Sequence, residues 1–254
     1  MPKKRSGGLR LALLVVLVGL LGYGIGILQP LVVRAPLVVG QDAVVADAAP
    51  SRARLADAGG TVLVVEPTDR PATLAFVLYP GALVRPQAYE WIGHALASGG
   101  VTTLIPEFGA DLAFTGIDRA ETVAASLAPG LRVVVGGHSL GGAMAAQYAA
   151  GHKDAVAGLV LLGAYPGNGV DLRDAAFPAL TLLAEHDGVI NPEGLEAGRD
   201  RLPPVHEEVV VAGAVHAFFG RYGPQADDGV PTVTRAEAER QITATLLRFT
   251  GGVA

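Results

Sequence analysis

Val133-Val134-Val135-Gly136-Gly137-His138-Ser139-Leu140-Gly141-Gly142 is the stretch on which the fold turns. The valines read as a strand buried on both faces, and Gly141–Ala150 reads as a small-residue helix. Between them lies Gly137-x-Ser139-x-Gly141, the pattern of a sharp strand-to-helix turn that lifts a serine hydroxyl above a sheet. Glycines suit both flanks, because the serine backbone of such a turn is strained and side chains beside it would collide. The Leu140 N–H falls at a helix N-terminus, where it can face a developing oxyanion. The competing reading of these residues is a glycine-rich turn with a serine N-cap.

Outward from this turn the chain alternates strand and helix. Strands are expected at Thr61–Glu66, Thr73–Tyr79, Val101–Ile105, Leu131–Val135, Val156–Leu162, Ala179–Ala184 and Glu207–Val211. Helical spacing is seen at Pro86–Ser98, Arg119–Leu127, Pro192–Arg201 and Arg235–Phe249. Strands apolar on both faces and separated by helices predict an α/β fold, a mostly parallel sheet covered on both sides. Ligands in such sheets bind beyond the carboxyl ends of the strands, so residues just after strands are the candidates for chemistry.

Two further strand ends carry suitable groups. Asp187, in Ala184-Glu185-His186-Asp187-Gly188-Val189-Ile190, follows an apolar strand and comes after Ser139 in the chain. His216, in Gly213-Ala214-Val215-His216-Ala217-Phe218-Phe219-Gly220, follows the last strand. Serine, acid, histidine is the chain order this architecture requires. The imidazole takes the serine proton and returns it to a leaving group, while the carboxylate orients the imidazole. Asp171 and Glu185 are rival acids, and His94, His138, His152, His186 and His206 are rival histidines. The loop Tyr79-Pro80-Gly81-Ala82-Leu83 offers the Ala82 N–H as a second oxyanion donor beside that of Leu140. A turn Asp, a loop histidine and a plain turn are the competing readings of these three segments.

Leu78–Leu83, GHSLGG, AEHDGVI and HAFFGRYGPQADDG together resemble small bacterial alpha/beta-hydrolases of the fold-family-5 group, allied to dienelactone hydrolases. The resemblance runs from about Thr61 to Phe249. It implies a serine hydrolase with Ser139, Asp187 and His216 as triad. Dienelactone hydrolases use a cysteine nucleophile and an acid beside the oxyanion loop, where this chain has Ser139 and Gly81. Many lipases and esterases of this fold insert a cap after the sixth strand, and Gly163–Pro178 is too short for a helical lid. Tyr89, Trp91, Phe108, Phe114, Phe218 and Phe219 are candidates to line an apolar pocket. The polar run Gly220–Gly229 beside His216 reads as a site edge or a solvated loop.

The N-terminal part is a different kind of chain. Lys3, Lys4, Arg5 and Arg10 precede Leu11–Val33, which holds no charged residue. That run is long enough to cross about 30 Å of hydrocarbon, and the cations favour a cytoplasmic N-terminus. Residues 1–34 are therefore expected to be a basic tip and single-pass membrane anchor, with Pro30 and Pro36 ending the helix. A cleaved signal peptide is the alternative. Residues 35–60 read as a linker, with a short strand near Ala43–Val45 open. Residues 61–254 form the α/β domain, placed outside the cytoplasm.

Composition narrows the function. The 254 residues include no cysteine, which excludes disulfides, zinc–thiolate sites and a cysteine nucleophile. A net charge of -5 offers no basic face for nucleic acid. Asp227 and Asp228 lack EF-hand spacing, so neither metal nor cofactor is expected. The expectation is a membrane-anchored serine hydrolase acting on a small-molecule carboxylic ester. A non-catalytic module of the same fold and a cofactor-free acyltransferase or perhydrolase are the alternatives.

Overall fold

The strand β3 (Leu74–Tyr79) shows how the molecule is layered. Its six residues are all buried, and successive side chains point to opposite faces. Leu74, Phe76 and Leu78 join one apolar cluster, with Ile92, Leu96, Ile242 and Leu246. Ala75, Val77 and Tyr79 join a second, with Ala120, Val123, Ala145 and Ala146. Burying one large aliphatic or aromatic side chain contributes roughly 1.5–3 kcal/mol, and here both faces of one strand collect it.

The structure is a computed structural model that describes residues 6–32, 36–38 and 50–254, with side chains in the first helix over 11–25. It divides into two compact units, Met1–Arg34 and Ala35–Ala254. The second holds an eight-stranded sheet. Besides β3 it contains β1 (Ser51–Asp57), β2 (Thr61–Pro67), β4 (Val101–Pro106) and β5 (Arg132–His138). It is completed by β6 (Gly158–Leu162), β7 (Ala179–Ala184) and β8 (His206–Val211). The order is β1-β2-β4-β3-β5-β6-β7-β8. β1 and β2 are antiparallel to their neighbours, and every other pairing is parallel. The sheet is the mostly parallel one expected, with helices on both faces.

Among the described residues the helices that accompany it are α2 (Glu90–Ala97), α3 (Arg119–Leu127), α4 (Leu140–Gly151), α5 (Pro192–Arg199) and α6 (Arg235–Val253). α2 and α6 supply the cluster of Phe76, and α3 and α4 that of Val77. The register opposes Tyr79 to Gly137 and His138 to Leu162. The ends of β3, β5 and β6 are therefore level, and the loops that follow them share one rim.

The expectation for one segment needs correction. Residues 35–60 are not all linker, because β1 pairs with β2 along its whole length. Its Ala- and Arg-rich sequence has low strand propensity, and its side chains are only partly covered. It is an edge strand, tied to β2 by Arg52 and Arg54 on Glu66. The possible strand at Ala43–Val45 lies outside the described residues. The stretch Pro36–Val38 bonds the loop after His216, with Val38 N–H to Arg221 O at 3.0 Å and Gly223 N–H to Pro36 O at 3.1 Å.

The first unit contains α1 (Ser6–Val32), which continues past Pro30. Among the described residues no helix is long and apolar enough to cross a membrane. Residues 11–25 would extend only about 22 Å at 1.5 Å per residue, and the expected anchor, Leu11–Val33, runs beyond the residues whose side chains are described.

Candidate active site

Ser139 sits between β5 and α4 with φ 52° and ψ −122°, a region nearly closed to residues with a Cβ. Such a conformation costs on the order of 1–3 kcal/mol and persists only where surroundings enforce it. Here they do. A Cβ on Gly137 would lie 2.4 Å from the carbonyl carbon of Gly141, and one on Gly141 would lie 2.2 Å from Tyr79 O. The Ser139 N–H is held by Leu162 O at 3.0 Å. The same close approach brings the start of α4 against the loop leaving β3.

Asp187 and His216 meet. Asp187 follows β7, and His216 opens a 3₁₀ turn, His216–Phe219, after β8. Nδ1 of His216 and Oδ2 of Asp187 are 2.8 Å apart, with side chains only 1% and 3% exposed. The other oxygen, Oδ1, accepts the N–H groups of Val189 and Ile190 at 2.9 and 2.8 Å. An ionised carboxylate only accepts, so Nδ1 carries the proton and Nε2 keeps its lone pair. Nε2 is buried and has no hydrogen-bond partner among the described residues. Ser139 and His216 line one cavity, although no Oγ–Nε2 hydrogen bond is made. Such contacts are often long in ligand-free sites and tighten when substrate binds.

The rivals are engaged elsewhere. Asp171 pairs with Arg173 on the surface, and Glu185 accepts the Gly213 N–H at 2.7 Å. His94 bonds Ser51 and Glu90, His152 the Tyr148 carbonyl, His186 Thr232 and His206 the Pro203 carbonyl. His138, beside the serine, is fully buried and turned to Tyr89, with Nδ1 2.8 Å from the phenol oxygen. That oxygen also accepts the Gly81 N–H at 2.9 Å. Burial, and secondarily repulsion from His216 when that ring is protonated, holds the His138 pKa well below the ordinary histidine value.

The loop after β3 forms a turn with Val84 N–H on Gly81 O at 3.2 Å and Leu83 at φ 59°. Leu83 N–H is bonded to Asp111 O at 2.9 Å. With Gly81, Leu83 and Val84 engaged, Ala82 has the one N–H of this turn outside these bonds. Leu140 is the first residue of α4 and has no intrahelical acceptor for its N–H. Leu140 lines the cavity beside Ser139, and Ala82 is not among its lining residues.

That cavity measures about 360 Å³. Leu140 and Ala143 form one wall, Gly163, Ala164, Tyr165 and Gly167 a second, and Val189, Ile190 and Asn191 a third. No Asp, Glu, Lys or Arg lines it. None of the six aromatics expected there reaches it. Tyr89, Trp91 and Phe219 are core, Phe114 is exposed, Phe108 packs on Tyr79, and Phe218 lies under Arg235. The aromatic residue present is Tyr165, in the loop after β6, whose ring fills the space over Gly194 and Gly198 of α5. No helix intervenes between β6 and β7. Among the described residues no group of three or more His, Asp or Glu side chains is placed to hold a metal ion.

Known proteins agree with this architecture. The model of the alpha/beta hydrolase family matches residues 75–240. This chain belongs to the alpha/beta hydrolase family. Among solved structures, a predicted CIB-like hydrolase from Thermoplasma acidophilum superposes with a TM-score of 0.60 at 13% identity. The match covers 80% of this chain and 98% of that one, a likeness of fold. No curated protein matches.

Proposed function

We propose that this hydrolase is a serine esterase that cleaves carboxylic esters through an acyl-enzyme. Ser139 Oγ attacks the ester carbonyl carbon as its proton passes to Nε2 of His216. The oxyanion is held by the N–H group of Leu140, with that of Ala82, the one N–H left over in its turn, as second donor from beyond the cavity wall. Collapse expels the alcohol, which takes the proton from His216. Water, deprotonated by the same imidazole, attacks the acyl-enzyme, and the acid leaves as Ser139 is reprotonated. Asp187 stays ionised and holds the imidazolium. Each oxyanion donor contributes roughly 3–4 kcal/mol to the transition state.

The observation that carries this reading is the buried Asp187–His216 hydrogen bond, which leaves Nε2 without a partner in a residue that lines one cavity with a strained serine. The uncharged walls favour a neutral substituent over a carboxylate-bearing one, and about 360 Å³ is near the small end for ligand pockets. A phosphonate probe should label Ser139 in the folded protein. Nitrophenyl esters with short uncharged acyl chains should be hydrolysed, and Ser139→Ala should abolish both. An unlabelled Ser139, or an active S139A, refutes the proposal.

The same reading places the catalytic unit outside the cytoplasm on an N-terminal anchor, with the N-terminus inside. It is supported by the four cations ahead of the uncharged run Leu11–Val33. Leu11, Leu14, Val18, Leu21 and Ile25 of α1 are all exposed, an apolar surface that water disfavours. Alkaline washing of membranes should leave the protein in the pellet, and release of the full-length chain would contradict the anchor.

A further inference from the structure

The chain leaves His216 through a four-residue turn and returns to it at Asp228. Oδ2 of Asp228 accepts the Ala217 N–H at 2.8 Å. Oδ1 accepts those of His216 at 3.1 Å and Gly229 at 2.9 Å, and that of Gly188 at 3.3 Å. Gly188 is the neighbour of Asp187, so one carboxylate bonds the backbone on both sides of the Asp187–His216 pair. The two loops are also packed main chain to main chain. A Cβ on Gly188 would lie 2.3 Å from Asp227 O, and one on Gly229 would lie 1.8 Å from His186 O. At the other end of the turn Arg235 donates to the carbonyls of Ala217, Gly220 and Tyr222, with its guanidinium 4.5 Å from the Phe218 ring centroid. An anion at the N–H end and a cation at the carbonyl end is the arrangement the dipole of a helical turn favours.

We propose that Asp228 is a positioning residue that fixes His216 against Asp187 and Ser139 by clamping the backbone of both loops. The inference rests on the serine-esterase reading. A displacement near 1 Å at a reacting group costs about 100-fold in rate, and a turn this short has no other element to hold its first two N–H groups. Charge-assisted bonds from a carboxylate are the stronger kind. An amide at this position keeps the size but turns a donor toward one of those N–H groups.

The test is Asp228→Asn in the full-length protein, with rates normalised to active sites counted by the phosphonate where His216 is kept and to folded protein in the His216→Ala background. The kcat for a short-chain nitrophenyl ester should fall on the order of 10–100-fold with KM little changed. Groups acting as one unit are non-additive, so adding D228N to His216→Ala should cost nothing further. The low-field imidazole N–H resonance of the Asp187–His216 bond, absent in H216A, should shift or broaden in D228N. The inference is overturned if D228N keeps the wild-type kcat per site, if the resonance is unmoved, or if the loss is the same in the H216A background. A purely structural role would lower the melting temperature and leave both kcat per site and the resonance intact. An S139A variant as active as wild type would remove the esterase reading itself, a failure visible before Asp228 is tested.

Discussion

Two imidazoles stand 4.5 Å apart, ring centre to ring centre, at the ends of different strands. His138 belongs to the elbow after β5, and His216 to the turn after β8. Both are almost fully buried. Their difference lies in the partner at Nδ1. His138 faces the Tyr89 phenol, itself pinned by Gly81, and its buried ring stays neutral. His216 faces a carboxylate, and its Nε2 is left without a partner beside Ser139. Burial alone does not make a histidine reactive. What matters is whether a neighbour can stabilise the cation that a proton transfer creates.

The contrast can be broken experimentally, and the largest effect belongs to the carboxylate-bound ring. Asp187→Asn or His216→Ala should lower kcat about 10⁴-fold or more. A rate within tenfold of wild type, measured on nitrophenyl esters, would mean the two rings differ less than their partners suggest. Next comes the steric frame of the elbow. Gly141→Ala puts a methyl group into the Tyr79 carbonyl and should cost about 3 kcal/mol or more of stability in urea titration. An unaltered midpoint would show that the serine turn is not held by this contact.

His138→Phe sharpens the comparison from the other side. It removes the side-chain partner of the buried Tyr89 hydroxyl, at roughly 1–3 kcal/mol. The loss should appear in the unfolding midpoint, and kcat should stay within about tenfold of wild type, far from the H216A value. The smallest effect is in the pH dependence of stability. His138 binds a proton less readily folded than unfolded, where its value is near 6.5. Below that pH the unfolded chain gains a proton that the native one refuses. Stability from this group is therefore present above about 6.5 and lost as pH falls, by up to about 1.4 kcal/mol per unit. The urea midpoint of wild type should drop more steeply from pH 7 to 5 than that of H138F, and parallel slopes would count against the neutral ring.

How far such a site can be read from sequence depends on what each residue is answering to. Gly137 and Gly141 answer to sterics local to a turn, so the elbow is visible in ten residues. Asp187 and His216 are found by chain order and by their place after apolar strands, while dismissing Asp171 and Glu185 required their partners, Arg173 and Gly213. The cavity wall was hidden. Tyr165, Val189 and Ile190 lie in loops without periodicity, whereas Tyr89 and Phe219 looked like lining because aromatic residues suit a pocket and a core equally well. β1 was hidden for a related reason. Its Arg52 and Arg54 are placed by Glu66 on the next strand, a pairing no local pattern announces. Asp228 shows the same limit, since its four N–H partners come from three separate stretches of chain.

The backbone of Ser139 has a further consequence. A glycine there would occupy φ 52° freely. Its release from a cost on the order of 1–3 kcal/mol exceeds the roughly 0.5–1 kcal/mol of extra chain entropy that glycine surrenders on folding. Ser139→Gly should therefore yield an inert protein that melts later than its parent. On the proposed esterase reading, robustness and reactivity pull in opposite directions at this one residue, and the native sequence sits on the side of reactivity.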